Sequence, residues 1–307
     1  MVDPGWCRIG PDPAIAAWAG AARQAALDVL ATTTEPWRCG GTWFVGVDAL
    51  QNAPDGSIQG TTFPWSMLPL IPEPLHRAQL SVIRPGYPQP SPDETPAAFA
   101  FRRDRDAAHL DGLLAVGRDK RRMVKEPHAW ILGLPLNETS AAPLTVWEGS
   151  HEILRAALLK ALSPHPPDTW GEIDITDAYQ QARREVFATC HRIELPAKPG
   201  EATLLHRLAI HGVAVWKRQD QAPPEGRMIA YLRPQLATAE AWLSQPCFHI
   251  CSNILGGAGG RSAPGGGKRD AVSRADDPRQ RALRHSILLP LQPGHPPAAP
   301  LLQPGRA

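Results

Sequence analysis

The sequence has almost no net charge, because its 307 residues include 32 lysines and arginines against 30 aspartates and glutamates. This balance excludes a protein held to nucleic acid or to an anionic membrane by bulk electrostatics, although it leaves room for a local basic patch. Tyr and Phe are scarce, at 3 and 6 residues, but 10 Trp and a hydrophobic fraction of 43% suffice for a core. Global disorder is therefore excluded as well.

Long apolar runs and a cysteine framework are also missing. No stretch approaches the roughly 18 uninterrupted apolar residues of a membrane span. The opening MVDPGWCRIGPDP has acids and prolines where a secretory signal needs a basic patch and an apolar run. The five cysteines are odd in number and widely scattered, unlike a disulfide framework. We expect a cytoplasmic protein with reduced thiols and no membrane or nucleic-acid partner.

Several common catalytic motifs are absent too. The chain has no G-x-S-x-G, no P-loop and no G-x-G-x-x-G before a helix. Serine hydrolase, P-loop NTPase and dinucleotide-binding activities therefore have no support in the sequence.

Composition divides the chain into a body, residues 1–255, and a tail, residues 256–307. The tail carries nine Gly, eight Pro, eight basic and three acidic residues, and no aromatic residue. Such a segment cannot bury enough apolar surface to offset its ordering entropy, so we predict disorder. Its basic charges are dispersed, which favours a solvated appendage over a nucleic-acid arm. The body is left slightly acidic.

The body is predicted to be mainly β with flanking helices. Residues 13–31 are Ala-rich and amphipathic, which predicts a helix, and further helices are predicted at HEILRAALLKAL and within 168–189. Short strands without regular strand–helix alternation favour a sandwich or barrel. These strands are predicted in TWFVGVDAL, HRAQLSVIRPGYP, AAFAFRRD, HAWILGLPL, APLTVWEG, HRIELPA, EATLLHRLAIHGVAVWK and GRMIAYLRP.

The segment RDRDAAHLDG contains the first candidate for chemistry. His109 and Asp111 are two residues apart, so on an extended strand their side chains leave the same face and can converge on one cation. Taken alone the pair is weak evidence, because a surface ion pair is the commoner reason for such spacing.

A second segment, KPGEATLLHRLAIHG, adds two more histidines. His206 and His211 are five residues apart and lie on opposite faces of a regular strand, so one of them should be structural. Gly212 permits close backbone approach beside His211, which favours His211 as the ligand. If His109, Asp111 and His211 meet, they form the 2-His-1-carboxylate triad typical of non-haem Fe(II) oxygenases.

Five segments now stand in a recognisable order: HLDG, HAWILGLPLN, APLTVWEGSH, PGEATLLHRLAIHG and GRMIAYLRP. Over about residues 80–235 the chain resembles phytanoyl-CoA dioxygenase-like Fe(II)/2-oxoglutarate-dependent oxygenases. The resemblance implies a double-stranded β-helix, which is a jelly-roll barrel of the cupin type, within an oxygenase domain at 1–255. It also implies hydroxylation of a small molecule with dioxygen, with Fe(II) as cofactor and 2-oxoglutarate as co-substrate.

The same resemblance assigns roles to individual residues. It implies iron ligation by His109, Asp111 and His211. Arg227 matches the Arg that holds the far carboxylate of 2-oxoglutarate, and Trp130 matches an aromatic beside the co-substrate.

Simpler interpretations remain open for two of these residues. Arg227 is otherwise an ordinary cation at a strand edge, and Trp130 is otherwise a core residue. The chain also has Val213 where the family often has a hydroxyl residue, and QDQAPPE lengthens the segment before Arg227. Two rival functions therefore stand beside the hydroxylase: a non-catalytic cupin-like metal- or ligand-binding protein, and a metal oxygenase that does not use 2-oxoglutarate.

Three weaker candidates complete the sequence. His151 is predicted to cap a helix that begins at Glu152. Cys247, His249 and Cys251 alternate as a zinc site would require, but no fourth ligand is apparent, so an apolar strand with incidental thiols is favoured. A cluster of cations is predicted to be a solvated face, or to favour an anionic substrate if it converges on the barrel mouth. Its members are Arg102, Arg103, Arg105, Lys120, Arg121, Arg122 and Lys125.

Overall fold

A computed structural model describes residues 3–92 and 94–247 of the chain. The predicted disordered tail at 256–307 lies outside the described residues, and so do His249 and Cys251.

Five α-helices lie in the described part of the chain. They are Pro13–Thr32 (α1), Pro96–Arg103 (α2), Ser150–Leu162 (α3), Thr176–Thr189 (α4) and Ala239–Ser244 (α5). Short 3-10 helices cover Trp65–Met67 and Pro167–Glu172. No helix among the described residues is both long enough and apolar enough to cross a membrane.

The first helix shows how the local sequence sets an element. The carboxylate of Asp12 accepts hydrogen bonds from the backbone N–H groups of Ala14 and Ile15, and Pro13 occupies the first turn. Both features favour a helix start at this point. Ile15, Trp18, Ala22 and their neighbours form the buried face, so the predicted amphipathic helix at 13–31 is confirmed.

Eleven strands are present in the same part of the chain. They are Trp6–Ile9 (β1), Trp43–Gly46 (β2), Gln79–Ile83 (β3), Leu113–Val116 (β4), Arg121–Val124 (β5), Ile131–Pro135 (β6), Leu144–Trp147 (β7), Arg192–Leu195 (β8), Ala202–Leu205 (β9), His211–Val213 (β10) and Arg227–Leu232 (β11). All paired strands are antiparallel.

The strands form one large sheet and two small ones. The six-stranded sheet has the order β1-β9-β6-β11-β3-β2, the three-stranded sheet has the order β10-β7-β8, and β4 pairs with β5. Side chains of the first two sheets share a buried cluster that includes Ile131, Leu144, Val146, Leu205 and Ile229. These two sheets therefore face each other across a common core.

Helices cover the outer faces of both sheets. Residues of α1 pack in one cluster with alternate residues of β3, β6, β9 and β11. Residues of α3, α4 and α5 pack in another cluster with Trp147 of β7. The expectation of a mainly β protein with flanking helices is confirmed.

Two sequence predictions of secondary structure are wrong. AAFAFRRD was predicted to be a strand but belongs to α2, where Thr95 accepts a hydrogen bond from the N–H of Ala98 and Pro96 opens the first turn. The segment from Glu201 to Trp216 is not one strand, because β9 and β10 belong to different sheets.

The prediction for His151 is also wrong. The helix begins at Ser150, Gly149 precedes it, and His151 is a buried residue of the first turn rather than a cap.

Candidate metal centre

His109 and His211 are placed side by side by backbone pairing. The N–H of His109 donates to the carbonyl of His211 at 2.9 Å, and the N–H of His211 donates back to the carbonyl of His109 at 3.2 Å. The two rings lie 4.6 Å apart between centroids. His109 is therefore held next to the first residue of β10, although the two histidines are 102 positions apart in the sequence.

Asp111 completes the cluster from the turn that follows His109. Its Oδ1 lies 3.3 Å from Nε2 of His109 and 3.9 Å from Nε2 of His211. One ligand atom from each of the three residues lies within 4.8 Å of the other two. The structure thus brings together the three side chains that the sequence nominated.

Backbone carbonyls fix the orientation of both imidazoles. Nδ1 of His109 donates to the carbonyl of Ala107 at 3.0 Å, and Nδ1 of His211 donates to that of Ala209 at 3.0 Å. A carbonyl can only accept, so Nδ1 carries the proton and Nε2 presents a lone pair in each neutral ring. Burial, with the adjacent His109, lowers the pKa of His211 to about 4, so that ring is neutral at physiological pH.

Arg233 holds the other side of Asp111. Its Nη1 donates to Oδ2 of Asp111 at 3.0 Å, and its Nη2 donates to Oε1 of Gln79 at 2.7 Å. Burial alone would raise the pKa of Asp111, but the Arg233 charge and the two histidines outweigh it and hold the pKa well below its usual range. Asp111 is therefore a carboxylate with Oδ2 tied to Arg233 and Oδ1 facing the histidines.

Close backbone contact at Gly212 holds this arrangement in place. The N–H of Val213 donates to the carbonyl of Asp106 at 2.8 Å. A Cβ on Gly212 would overlap the carbonyl oxygen of Asp106 and lie 3.1 Å from Cα of Ala108. Only a residue without a side chain lets β10 approach the segment that carries His109 this closely.

Gly212→Ala is expected to lower the free energy of unfolding by about 1–3 kcal/mol, because two backbone segments must separate to admit the methyl group. The matched control is Gly20→Ala, at an exposed position in α1 where nothing lies within 4 Å of the new Cβ. That change should stabilise the protein by about 0.5–1 kcal/mol. Urea unfolding measures both; equal effects of the two changes would contradict the proposed role of Gly212.

A cleft of about 530 Å³, open to solvent, leads to the cluster. Its apolar lining comes from both sheets, and its polar groups are mostly paired with one another. The indole N–H of Trp43 donates to Oγ of Ser81 at 3.1 Å, and Gln79 accepts from Arg233. The full lining is Trp43, Val47, Gln79, Ser81, His109, Asp111, Ile131, Leu144, His211, Gly212, Val213, Tyr231 and Arg233.

Arg227 lies on the cleft-facing side of β11, six residues before Arg233. It pairs in register with Ile83, which in turn pairs with Trp43 of the cleft lining. Its side chain is buried, and Nη1 has no hydrogen-bond partner. It lines a second pocket of about 270 Å³, which shares no lining residue with the cleft. Arg227 is therefore a buried cation at the end of the inter-sheet space away from Arg233.

The structure does not bring Trp130 to this cleft. Trp130 belongs to the cluster packed under α1, and its ring lies 6.2 Å from that of Trp65. Successive side chains along a strand point to opposite faces of the sheet. Because Ile131 faces the cleft, Trp130 faces the other side. The core interpretation of Trp130 fits this position.

His206 and Cys247 are also outside the cleft. His206 stacks on His151 at 4.6 Å between ring centroids, which agrees with a structural role. The thiol of Cys247 donates to the carbonyl of Ala129 at 3.2 Å.

The seven cations do not converge on the cleft, since none of them is in its lining within the described residues. The prediction of one solvated face is wrong for two of them, because Arg102 and Arg122 are buried. Arg102 pairs with Glu94 at 2.6 Å, Lys125 pairs with Glu172 at 2.5 Å, and Arg105 lies over the ring of Phe101. This cluster therefore gives no support to an anionic substrate.

Two residues that shape the site were not identified from the sequence. Arg233 and Gln79 hold Asp111 in place, yet neither belongs to a chemical motif. A signal for Arg233 did exist: it is an even number of residues from Arg227 in GRMIAYLRP and therefore shares its strand face.

Comparisons with known proteins give structural neighbours alone. No family model and no curated protein matches the chain. Similar solved structures include the non-heme alpha ketoglutarate dependent carbocyclase SnoK from nogalamycin biosynthesis, at 13% identity over 75% of this chain and 79% of that chain, with a TM-score of 0.39. The alpha ketoglutarate dependent epimerase SnoN from nogalamycin biosynthesis has 14% identity over 89% and 95%, with a TM-score of 0.36. AviO1 from Streptomyces viridochromogenes Tue57 has 11% identity over 77% and 92%, with a TM-score of 0.32.

Proposed function

We propose that the protein is an Fe(II)- and 2-oxoglutarate-dependent dioxygenase that hydroxylates a small molecule. The observation that carries this proposal is the convergence of His109, Asp111 and His211, whose ligand atoms lie within 4.8 Å of one another. Two imidazoles and one carboxylate are the donor set of non-haem Fe(II) oxygenases, and they leave coordination positions open.

The strand order supports a jelly-roll barrel of the double-stranded β-helix type as the frame of this site. β3, β6, β9 and β11 belong to the large sheet, and the segments between them in sequence, first the one at His109, then β7 and β8, then β10, belong to or extend the three-stranded sheet. The segment at His109 adds to the edge of the three-stranded sheet through its bridge to His211. Such alternation is typical of two interlocked antiparallel sheets in jelly rolls.

The residues present fit a bound iron ion. Both Nε2 atoms carry lone pairs because their Nδ1 atoms donate to carbonyls, and Asp111 stays ionised against Arg233. Ligands oriented by such outer contacts are the usual design of protein metal sites. His109, Asp111 and His211 would hold the metal, and Arg227 would hold the far carboxylate of 2-oxoglutarate.

Iron(II) and 2-oxoglutarate, when bound, supply oxidation by dioxygen with conversion of 2-oxoglutarate to succinate and carbon dioxide. The chain itself contributes position and environment. Arg233 compensates the charge of Asp111, while Ile131, Leu144 and Val213 give the cleft an apolar lining beside the metal ligands. This apolar lining favours a substrate with an apolar body next to the metal.

Succinate release tests the proposal. Iron is loaded without oxygen, 2-oxoglutarate and dioxygen are added, and succinate is measured with a panel of small molecules. We expect succinate from the wild type and none from His109→Ala. Tight iron binding with no turnover would favour the non-catalytic rival, and turnover that ignores 2-oxoglutarate would favour the other metal oxygenase. Failure to bind iron would overturn the proposal.

A further inference from the structure

Gln79 is a buried residue of the cleft whose side-chain amide is only half used. It is 9% exposed and lines the cleft together with Asp111 and Arg233. Its Oε1 accepts a hydrogen bond from Nη2 of Arg233 at 2.7 Å, whereas its Nε2 makes no hydrogen bond with any described residue. Buried polar groups are normally paired, so this amide nitrogen indicates a place for an acceptor that comes from outside the protein.

Arg233 fixes the orientation of this amide. A guanidinium can only donate, so the atom that faces its Nη2 is the amide oxygen, and a flipped amide would set N–H groups against N–H groups. The same guanidinium holds Asp111 through Nη1 at 3.0 Å. Gln79 therefore offers a donor at a fixed place, two hydrogen bonds away from a proposed metal ligand.

The fixed charges of the cleft cancel each other. Among the described residues that line it, Arg233 is the only Lys or Arg and Asp111 is the only acidic residue, and these two are paired. Iron(II) and 2-oxoglutarate carry equal and opposite charges, so they leave this balance unchanged when both are bound. A charged group of a substrate would lose its hydration here without gaining a counter-ion, which is costly. The cleft therefore suits a neutral substrate.

Apolar side chains form the walls around the Gln79 amide. Tyr231 stands directly opposite Gln79 in the register of β11 and β3. A Cβ on Gly133 would lie 3.0 Å from Cε1 of Tyr231, so the absence of a side chain at Gly133 lets this ring lie close to the backbone of β6. Ile131 and Leu144 line the same cleft. The unpaired donor thus belongs to a cleft that binds an apolar body.

We propose that Gln79 binds a carbonyl oxygen of a neutral, largely apolar substrate, and so selects ketones, esters or amides for the metal centre. A carbonyl oxygen accepts and cannot donate, which matches the two N–H groups of Nε2. An ammonium group can only donate and would meet these N–H groups, so amines are disfavoured. This assignment rests on the proposed function, because it concerns the substrate of that site.

The test measures the binding of three probes that share one ring system. They are α-tetralone, which is a neutral ketone, tetralin, which lacks the oxygen, and aminotetralin, which carries an ammonium group. The full-length protein is loaded with Mn(II), and the broadening of each probe's proton NMR signals reports binding beside the metal. This measurement needs neither 2-oxoglutarate nor turnover.

Gln79→Glu keeps an oxygen for Arg233 and replaces the amide nitrogen by a second oxygen. It should weaken α-tetralone binding by about 3- to 10-fold, the worth of a neutral hydrogen bond, and leave tetralin binding unchanged. Aminotetralin should bind about 10-fold more tightly, because its ammonium group then meets a carboxylate. Gln79→Met has neither donor nor charge, so it should weaken α-tetralone to the same extent without this gain for the amine.

Gln181→Glu is the matched control, since Gln181 is exposed on α4 and lies outside the cleft lining. It should change none of the three affinities. Unchanged α-tetralone binding in both Gln79 variants, or equal weakening of α-tetralone and tetralin, would show that Gln79 does not donate to the carbonyl. If the wild type binds Mn(II) but broadens the signals of no probe, the inference is wrong while the proposed function stands. If the wild type binds no Mn(II), as measured by the electron paramagnetic resonance of the free ion, the proposed function itself fails.

Discussion

His109→Ala is expected to weaken Fe(II) or Co(II) binding by more than about 100-fold. Loss of a residue that merely orients a ligand costs about 10- to 100-fold in affinity, and loss of a ligand should cost more. His109 is suited to this test because its side chain is 18% exposed and its main-chain bonds to His211 do not depend on the imidazole. Anaerobic titration of the metal measures the effect.

A matched control shows whether the loss is local. His191→Ala removes an imidazole that is 77% exposed and outside the cleft lining, so metal affinity should not change. The free energy of unfolding of the metal-free His191 variant should stay within about 0.5 kcal/mol of the wild type. Metal affinity that survives His109→Ala would remove His109 from the ligand set.

Arg233→Met is expected to lower the free energy of unfolding of the metal-free protein by about 3–5 kcal/mol at neutral pH. The variant leaves the Asp111 carboxylate buried without its cation, and breaking a buried ion pair from one side typically costs this much. Urea unfolding in the presence of a chelator measures it. A loss below about 1 kcal/mol would show that the pair is not a buried, coupled one.

The pH dependence of that loss has a defined sign. The pKa of Asp111 is depressed in the folded wild type, so its stabilising contribution is present above the unfolded value of about 3.9 and is lost as the pH falls below it. In Arg233→Met burial dominates and the pKa rises, so the carboxylate takes up a proton more readily. The gap between wild type and variant should therefore shrink as the medium is acidified.

A second substitution separates charge from packing. Asp111→Asn with Arg233→Met removes both charges, and we expect this double variant to be more stable than Arg233→Met alone. Arg233→Lys keeps the positive charge but has no planar fork with which to reach Asp111 and Gln79 together. Its stability should therefore fall between that of the wild type and that of Arg233→Met. A double variant less stable than Arg233→Met would contradict electrostatic coupling.

The metal ligands could be nominated from the sequence because their spacing and neighbours carry chemical meaning. His109 and Asp111 share a face at a separation of two, and Gly212 indicates close backbone approach beside His211. In the structure, this glycine is where β10 meets the carbonyl of Asp106. The α1 helix could also be predicted from the sequence, because its cap and first turn are local features.

Other features depend on contacts that a sequence does not show. β6 is buried on both faces, so its apolar pattern does not reveal that Ile131 faces the cleft and Trp130 faces α1. Arg233 reaches Asp111 across 122 residues, and no local pattern announces that pairing. The strand wrongly predicted at α2 shows a similar limit, because an Ala- and Phe-rich segment is compatible with a helix or a strand. The Thr95 side chain caps this segment and favours the helix.

The measurement that tests the central claim most directly is succinate formed per 2-oxoglutarate consumed by the iron-loaded protein in air. The claim is that His109, Asp111 and His211 hold one iron at which 2-oxoglutarate is oxidised. It predicts one Fe(II) per chain and one succinate per 2-oxoglutarate in the wild type, with both iron and succinate lost in His211→Ala. Iron bound at this stoichiometry with no succinate, or succinate formed equally by His211→Ala, would contradict it.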